Sequence, residues 1–93
     1  MILDIVSPEA KLFSGQVTSV TVPGVDGSFQ ILNNHAPIVS ILEKGTIKIA
    51  APSFNFSKEV ADKFMRVNDQ TYTLEITSGT IEMKDNKVIV LVD

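Results

Sequence analysis

The sequence predicts an all-β domain, a sandwich or barrel, on three observations. Turn signals recur every few residues: Ser7-Pro8, Ser14-Gly15, Pro23-Gly24, Asp26-Gly27, Pro37, Lys44-Gly45, Ser78-Gly79 and Asp85-Asn86 cut the chain into strand-length apolar pieces. Inside those pieces polar and apolar residues alternate with a period of two. No fixed-period repeat, low-complexity tract or linker breaks the pattern. At 93 residues there is room for one domain, spanning 1–93.

Met1 leads straight into the first strand-like pattern, without the charged n-region of a leader peptide. Thr18, Val20 and Val22 alternate with Ser19 and Thr21; Ile47 and Ile49 alternate with Thr46 and Lys48; Tyr72, Leu74 and Ile76 alternate with Thr73, Glu75 and Thr77. Each such strand turns one face to a core and one to water. The last run, Val88-Ile89-Val90-Leu91-Val92, is apolar on both faces, which suits a strand covered on both sides or one lending its outer face to a partner. Before it, Lys84-Asp85-Asn86-Lys87 reads as a two-residue hairpin turn, because Asp and Asn tolerate the positive φ it needs. The last two strands should therefore pair antiparallel.

Residues 51–71 are the exception. They open with Pro52, then space Val60, Phe64 and Val67 at helical intervals, with Ser57 placed to cap. This predicts a long connection with one or two helical turns within 57–67. Phe54, Phe56, Phe64 and Met65 are a heavy apolar load for a solvated loop, so the segment should fold back on a sheet edge or meet a partner.

Composition narrows the function classes. With 44% hydrophobic and 20% charged residues the chain can bury a core and fold on its own, unlike a disordered segment. Cysteine is absent, so packing alone must hold the domain, and a reducing compartment suits it. The net charge of −3 comes from eleven acids and eight bases scattered singly, with no basic cluster for phosphates, so no nucleic-acid partner is expected. No apolar run approaches the roughly 18–20 residues that span a bilayer, so no direct membrane insertion is expected and any membrane link would run through another protein.

A search for catalytic chemistry finds little to use. His35 is the only histidine, and its neighbours, Asn33, Asn34, Ala36 and Pro37, include no orienting acid. No Gly-x-Ser-x-Gly elbow surrounds a serine, and one histidine with dispersed carboxylates does not make a metal site. Glu75 and Glu82 could act as a paired acid and base around Ser78-Gly79, but both alternate with apolar residues, the pattern of a solvated sheet face. Gly24 and Gly27 lack the Lys-Ser/Thr and following helix of a phosphate loop, so they read as a turn with positive φ. Neither catalytic residues, nor a cofactor, nor a metal is expected. Asn33 and Asn34 accept left-handed backbone and Pro37 pushes Ala36 into an extended conformation, so residues 33–37 should form a tight, fixed loop. His35 then either braces that loop through a nearby carbonyl or projects into a partner.

Three stretches, LDIVSPEAKLFSG, VPGVDGSFQILNNHAPIVSILEKGTIKI and TSGTIEMKDNKVIVLVD, resemble the N-terminal domain of the epsilon subunit of bacterial F-type ATP synthases. The resemblance rests on an ordered set: Phe13-Ser14-Gly15, Gly27, His35-Ala36-Pro37, Gly45, and Ser78-Gly79 with Glu82. It implies a flattened β-sandwich of about ten strands and a non-catalytic place at the foot of the rotor stalk. One sheet would pack on the gamma subunit and a rim of loops would sit on the c-ring, coupling proton-driven rotation to ATP synthesis. Carried over by position, Asp26, Gly27, Ser28, Asn33, Asn34, His35, Ala36 and Pro37 fall in the c-ring contact, and Ser7, Phe13, Ser14 and Gly15 in the region of gamma contact. The implied location is peripheral, on the cytoplasmic face of the bacterial inner membrane, with no obligate homo-oligomer. Surfaces for two partners should leave a large apolar patch open.

The family's pattern is not matched everywhere. Asn33-Asn34 stands where many relatives have Pro-Gly, and residues 51–71 exceed the short hairpin usual there. Typical members continue into a two-helix C-terminal region that inhibits ATP hydrolysis; with Asp93 the last residue, that role is not expected of this sequence. The competing readings are a free-standing β-sandwich interaction module and a small hydrolase using His35.

Overall fold

The computed structural model describes residues 1–93. Ten strands follow in order: β1 (Ile2–Val6), β2 (Lys11–Gln16), β3 (Ser19–Gly24), β4 (Gly27–Leu32), β5 (Ile38–Leu42), β6 (Gly45–Ala50), β7 (Phe64–Asn68), β8 (Thr71–Ile76), β9 (Gly79–Lys84) and β10 (Lys87–Val92). They make one hydrogen-bonded sheet in the order β2-β1-β10-β9-β5-β3-β6-β8-β7, with β4 alongside β3. Between β5 and β3 the only ladder pair is Leu42 with Gly24, and there the sheet doubles over. The result is the predicted flattened sandwich: β2, β1, β10, β9 and β5 form the first layer, and β4, β3, β6, β8 and β7 the second. Every ladder is antiparallel except β1 with β10, which run parallel.

The period of two becomes a core because the registers line up. In the first layer Leu3 and Ile5 stand beside Val88 and Val90, which stand beside Met83 and Ile81. In the second, Val20 lies between Ile31 and Ile49, and Ile47 opposes Leu74. All of these are buried, in one cluster of 22 hydrophobic residues. No buried side-chain nitrogen or oxygen lacks a hydrogen-bond partner, so the core carries no polar penalty against its burial gain.

The turns follow their residue chemistry. Asp85 (φ 53°) and Asn86 (φ 60°) are both left-handed, the requirement of a type I′ hairpin, and they join β9 to β10 antiparallel as predicted. Gly27 sits at φ 115° with open space where a Cβ would go, so its backbone angle, not crowding, calls for glycine.

Residues 51–71 differ from the expectation. Helical structure shrinks to a single 3-10 turn, Ala61–Lys63, and Phe64–Asn68 is strand β7. Ser57 contributes its main-chain carbonyl, which accepts from Val60 and Ala61, and no side chain caps the turn. Val60 and Phe64 are buried at the predicted interval, but Val67 is exposed on β7. Phe54 and Phe56 fold back as expected. With Phe13, Phe64 and Tyr72 they form an aromatic cluster, Phe56 lying 4.3 Å from Phe64 and Phe54 4.5 Å from Tyr72 between ring centroids. Phe13 of β2, 5.9 Å from both Phe54 and Phe56, joins the two edge strands, so the strap closes the side of the sandwich where β2 and β7 lack further neighbours.

Candidate protein-interaction surfaces

The two layers differ in what their central strands turn outward. On the first, strand registers put Ile2, Asp4 and Val6 of β1, Lys87, Ile89 and Leu91 of β10, Glu82 and Thr80 of β9, and Val39 and Ile41 of β5 on the outside. Val39 is 80% exposed, Ile41 65% and Leu91 51%. Val6, Pro8, Ile41 and Leu91 line a shallow groove of about 470 Å³ across this face. On the second layer the outward positions are mostly polar, Thr21, Gln30, Thr46, Lys48, Thr73 and Glu75, with Leu32 at the end of β4 and Met65 on edge strand β7 as exposed apolar exceptions, and Thr46 Oγ1 donates to Glu75 Oε1 at 2.8 Å. The last strand is thus left uncovered on its outer face within this domain, which sets aside the reading that has it covered on both sides.

Sequence reasoning missed Val39 and Ile41. Their strand is apolar on both faces: Ile38, Ser40 and Leu42 point inward, Ser40 beside Ile81, while Val39 and Ile41 point to solvent. Glu75 and Glu82, considered as a pair, lie on different layers, since β8 pairs with β6 and β7 while β9 pairs with β10 and β5. They do not converge.

The residues carried over to the c-ring contact occupy both ends of β4. Asp26, Gly27 and Ser28 sit at its start, and Asn33, Asn34, His35, Ala36 and Pro37 follow its end; at about 3.3 Å per residue the two groups are roughly 17 Å apart. A contact confined to one end of the sandwich cannot include both. They are linked by the length of β4, which pairs only with β3 and so leaves its other edge, flanked by exposed Val25 and Leu32, open. The loop 33–37 is exposed throughout. His35 N–H donates to Leu32 O at 3.1 Å, and with Asn34 at φ 64° this is the pattern of a type II turn. His35 Nδ1 lies 2.7 Å from Ala36 O, so the ring braces its own loop while remaining exposed.

The four residues carried over to gamma contact divide. Ser14 is exposed on the outer face of β2, donating to Asp4 Oδ1 at 2.6 Å, on the same side as Leu91. Ser7 is half-buried and closes the β1–β2 turn, its Oγ donating to Ala10 O at 3.2 Å. Phe13 is in the core at 4% exposure, and Gly15 stands against its ring. Phe13 therefore builds the sandwich from inside and offers no surface.

These surfaces belong to a β-sandwich with an exposed, partly apolar flank and one open strand edge. The β-sandwich domain model of the ATP synthase delta/epsilon chain matches residues 1–73. The chain is 37% identical over 91 residues to the ATP synthase epsilon chain of Chlorobium limicola, covering 98% of this chain and 86% of that one. Against the epsilon chain of Leptospira borgpetersenii the figures are 35%, 98% and 59%. This chain belongs to that family, within the epsilon chains of ATP synthase. The fold is shared with a chain of the central stalk and c-ring structure of the Tetrahymena thermophila mitochondrial ATP synthase (TM-score 0.67, 21% identity, covering 98% of this chain and 61% of that one). It is also shared with one of the Euglena gracilis mitochondrial enzyme in a structure of OSCP, F1 and the c-ring (TM-score 0.76, 16%, 99% and 49%).

Proposed function

We propose that this chain is a rotor subunit that binds the gamma subunit through the outer face of its first layer and the c-ring through the β4 edge and the residue 33–37 loop. It couples proton-driven ring rotation to gamma without chemistry of its own. The observation that carries the reading is the exposure of Val39, Ile41 and Leu91 on neighbouring strands of one side of a sandwich whose opposite side is threonine-rich and charged over its central strands β3, β6 and β8. A face within Cα extents of 32 × 26 Å matches the ~800 Å² per partner of a standard interface. Torque transfer asks for a stiff body with two separated grips, and the face and the β4 edge are separate surfaces of one packed core. Held through such partners, the subunit would be peripheral to the bacterial membrane on its cytoplasmic side. Titration calorimetry with the cognate gamma subunit tests the reading: a one-to-one complex at micromolar concentration or tighter is expected, and no heat of binding at those concentrations would overturn it.

A further inference from the structure

Between Leu32 and Ile38 the chain leaves the strands, and outside the ladders it makes one main-chain hydrogen bond, His35 N–H to Leu32 O. Left-handed Asn34 carries a backbone cost that glycine would avoid, and Asn33 has no ring to restrict it. Such a loop should sample several conformations unless something outside it fixes one. The fixing contact comes from a turn more than fifty residues away. Asn86 Oδ1 accepts from the Asn34 N–H at 2.7 Å, while Asn86 Nδ2 donates to Asn33 Oδ1 at 2.8 Å. Asn33 Oδ1 also accepts from the Met1 nitrogen at 3.1 Å. Asn86 itself is held firmly: it lies in the type I′ turn, and its carbonyl accepts from Ile2 N–H at 3.1 Å.

We propose that Asn86 is a positioning residue: by a two-point clasp on Asn33 and Asn34 it sets the His35 loop in the geometry that meets the c-ring. The residue reaches the loop with a donor and an acceptor at once, which fixes orientation as well as distance. No other side chain from the first layer makes a hydrogen bond to residues 34–37, and the Met1 nitrogen and Asn86 are the only partners of Asn33 Oδ1. The link also ties β4 and β5 to the β9–β10 hairpin, so the ring-facing loop is braced by the layer assigned to gamma. Its role in ring binding rests on the proposed function; the clasp itself does not.

Asn86→Gly is the clean variant, because glycine accepts φ 60° and Asp-Gly favours the same hairpin, so the turn survives and only the clasp is lost. Amide hydrogen–deuterium exchange on the full chain should accelerate about fivefold at Asn34, the size of effect expected for one net hydrogen bond, with Val88 and Val90 unchanged. Affinity for detergent-solubilised c-ring should fall about as much, and Asn86→Asp, which keeps the acceptor but loses the donor, should fall between. Unaltered exchange at Asn34 in the glycine variant would overturn the clasp. Faster exchange with unaltered ring affinity would overturn its positioning role. Failure of the unsubstituted chain to bind the ring would instead count against the proposed function, and the exchange readout would still decide the clasp.

Discussion

The two layers are built from the same number of strands with the same alternation, and they differ in what the outward half of that alternation contains. In the second layer its centre is threonine, lysine, glutamate and glutamine, residues that satisfy water, and apolar side chains, Leu32 and Met65, are exposed only on β4 and β7 at its margins. In the first it includes Ile2, Val6, Ile89, Leu91, Val39 and Ile41 among a few charges. Folding does not require the difference, because both inward faces pack equally well. An outward apolar half costs solubility and contributes little to the isolated fold, so its chemistry points to a surface covered in the working state.

The largest expected effect separates the two faces. Ile41→Glu with Leu91→Glu should weaken gamma binding roughly a thousandfold, since both carboxylates would be buried unpaired. Thr21→Glu with Thr73→Glu on the second layer should change it less than about twofold. Calorimetry on both double variants decides this, and equal losses would erase the distinction. Next comes the contrast of inward with outward residues. Ile47→Ala should cost about 3 kcal/mol in urea unfolding by emptying a fully buried site, whereas Val39→Ala should stay within ~0.5 kcal/mol. Smaller again, Phe56→Ala should cost about 1–2 kcal/mol, because this half-buried ring closes the joint between edge strands; circular-dichroism melting reads it. The smallest concerns Arg66, whose ionisation is raised, first by its hydrogen bond to Asp69 and then by that carboxylate's charge. A raised cation contributes stability below its unfolded value and loses it only as pH rises past the folded one. That window lies above the ordinary arginine range, so any drop in the unfolding midpoint of Asp69→Asn, small because the pair is exposed, should be the same at every pH between about 5 and 9.

What was legible in the sequence was what local rules determine. The Asp85-Asn86 hairpin, the buried valines of β10 and the core faces of β6 and β8 all follow from period and turn chemistry. The strap was only half legible. Val60 and Phe64 are four apart and both buried, which a helix explains, but they belong to a loop and a strand brought together by the aromatic cluster. That clustering of Phe13 with Phe54, Phe56, Phe64 and Tyr72 is long-range packing with no local sign. The outer face of β5 was missed because Ile38-Val39-Ser40-Ile41-Leu42 is apolar on both faces, so its period does not say which side the core takes. The Asn86 clasp joins two turns that each make sense alone, and nothing in either predicts their meeting.

The parallel pairing of Ile2–Val6 with Lys87–Val92 joins the first and the last strand of the sandwich. During synthesis, the amino-terminal strand leaves the ribosome early and has only β2 to pair with until residues 87–92 emerge. The first layer therefore stays open at its middle until β10 has been made, and its closure is a long-range event of the kind that slows folding. Nascent chains halted short of β10 should be the species most in need of a chaperone.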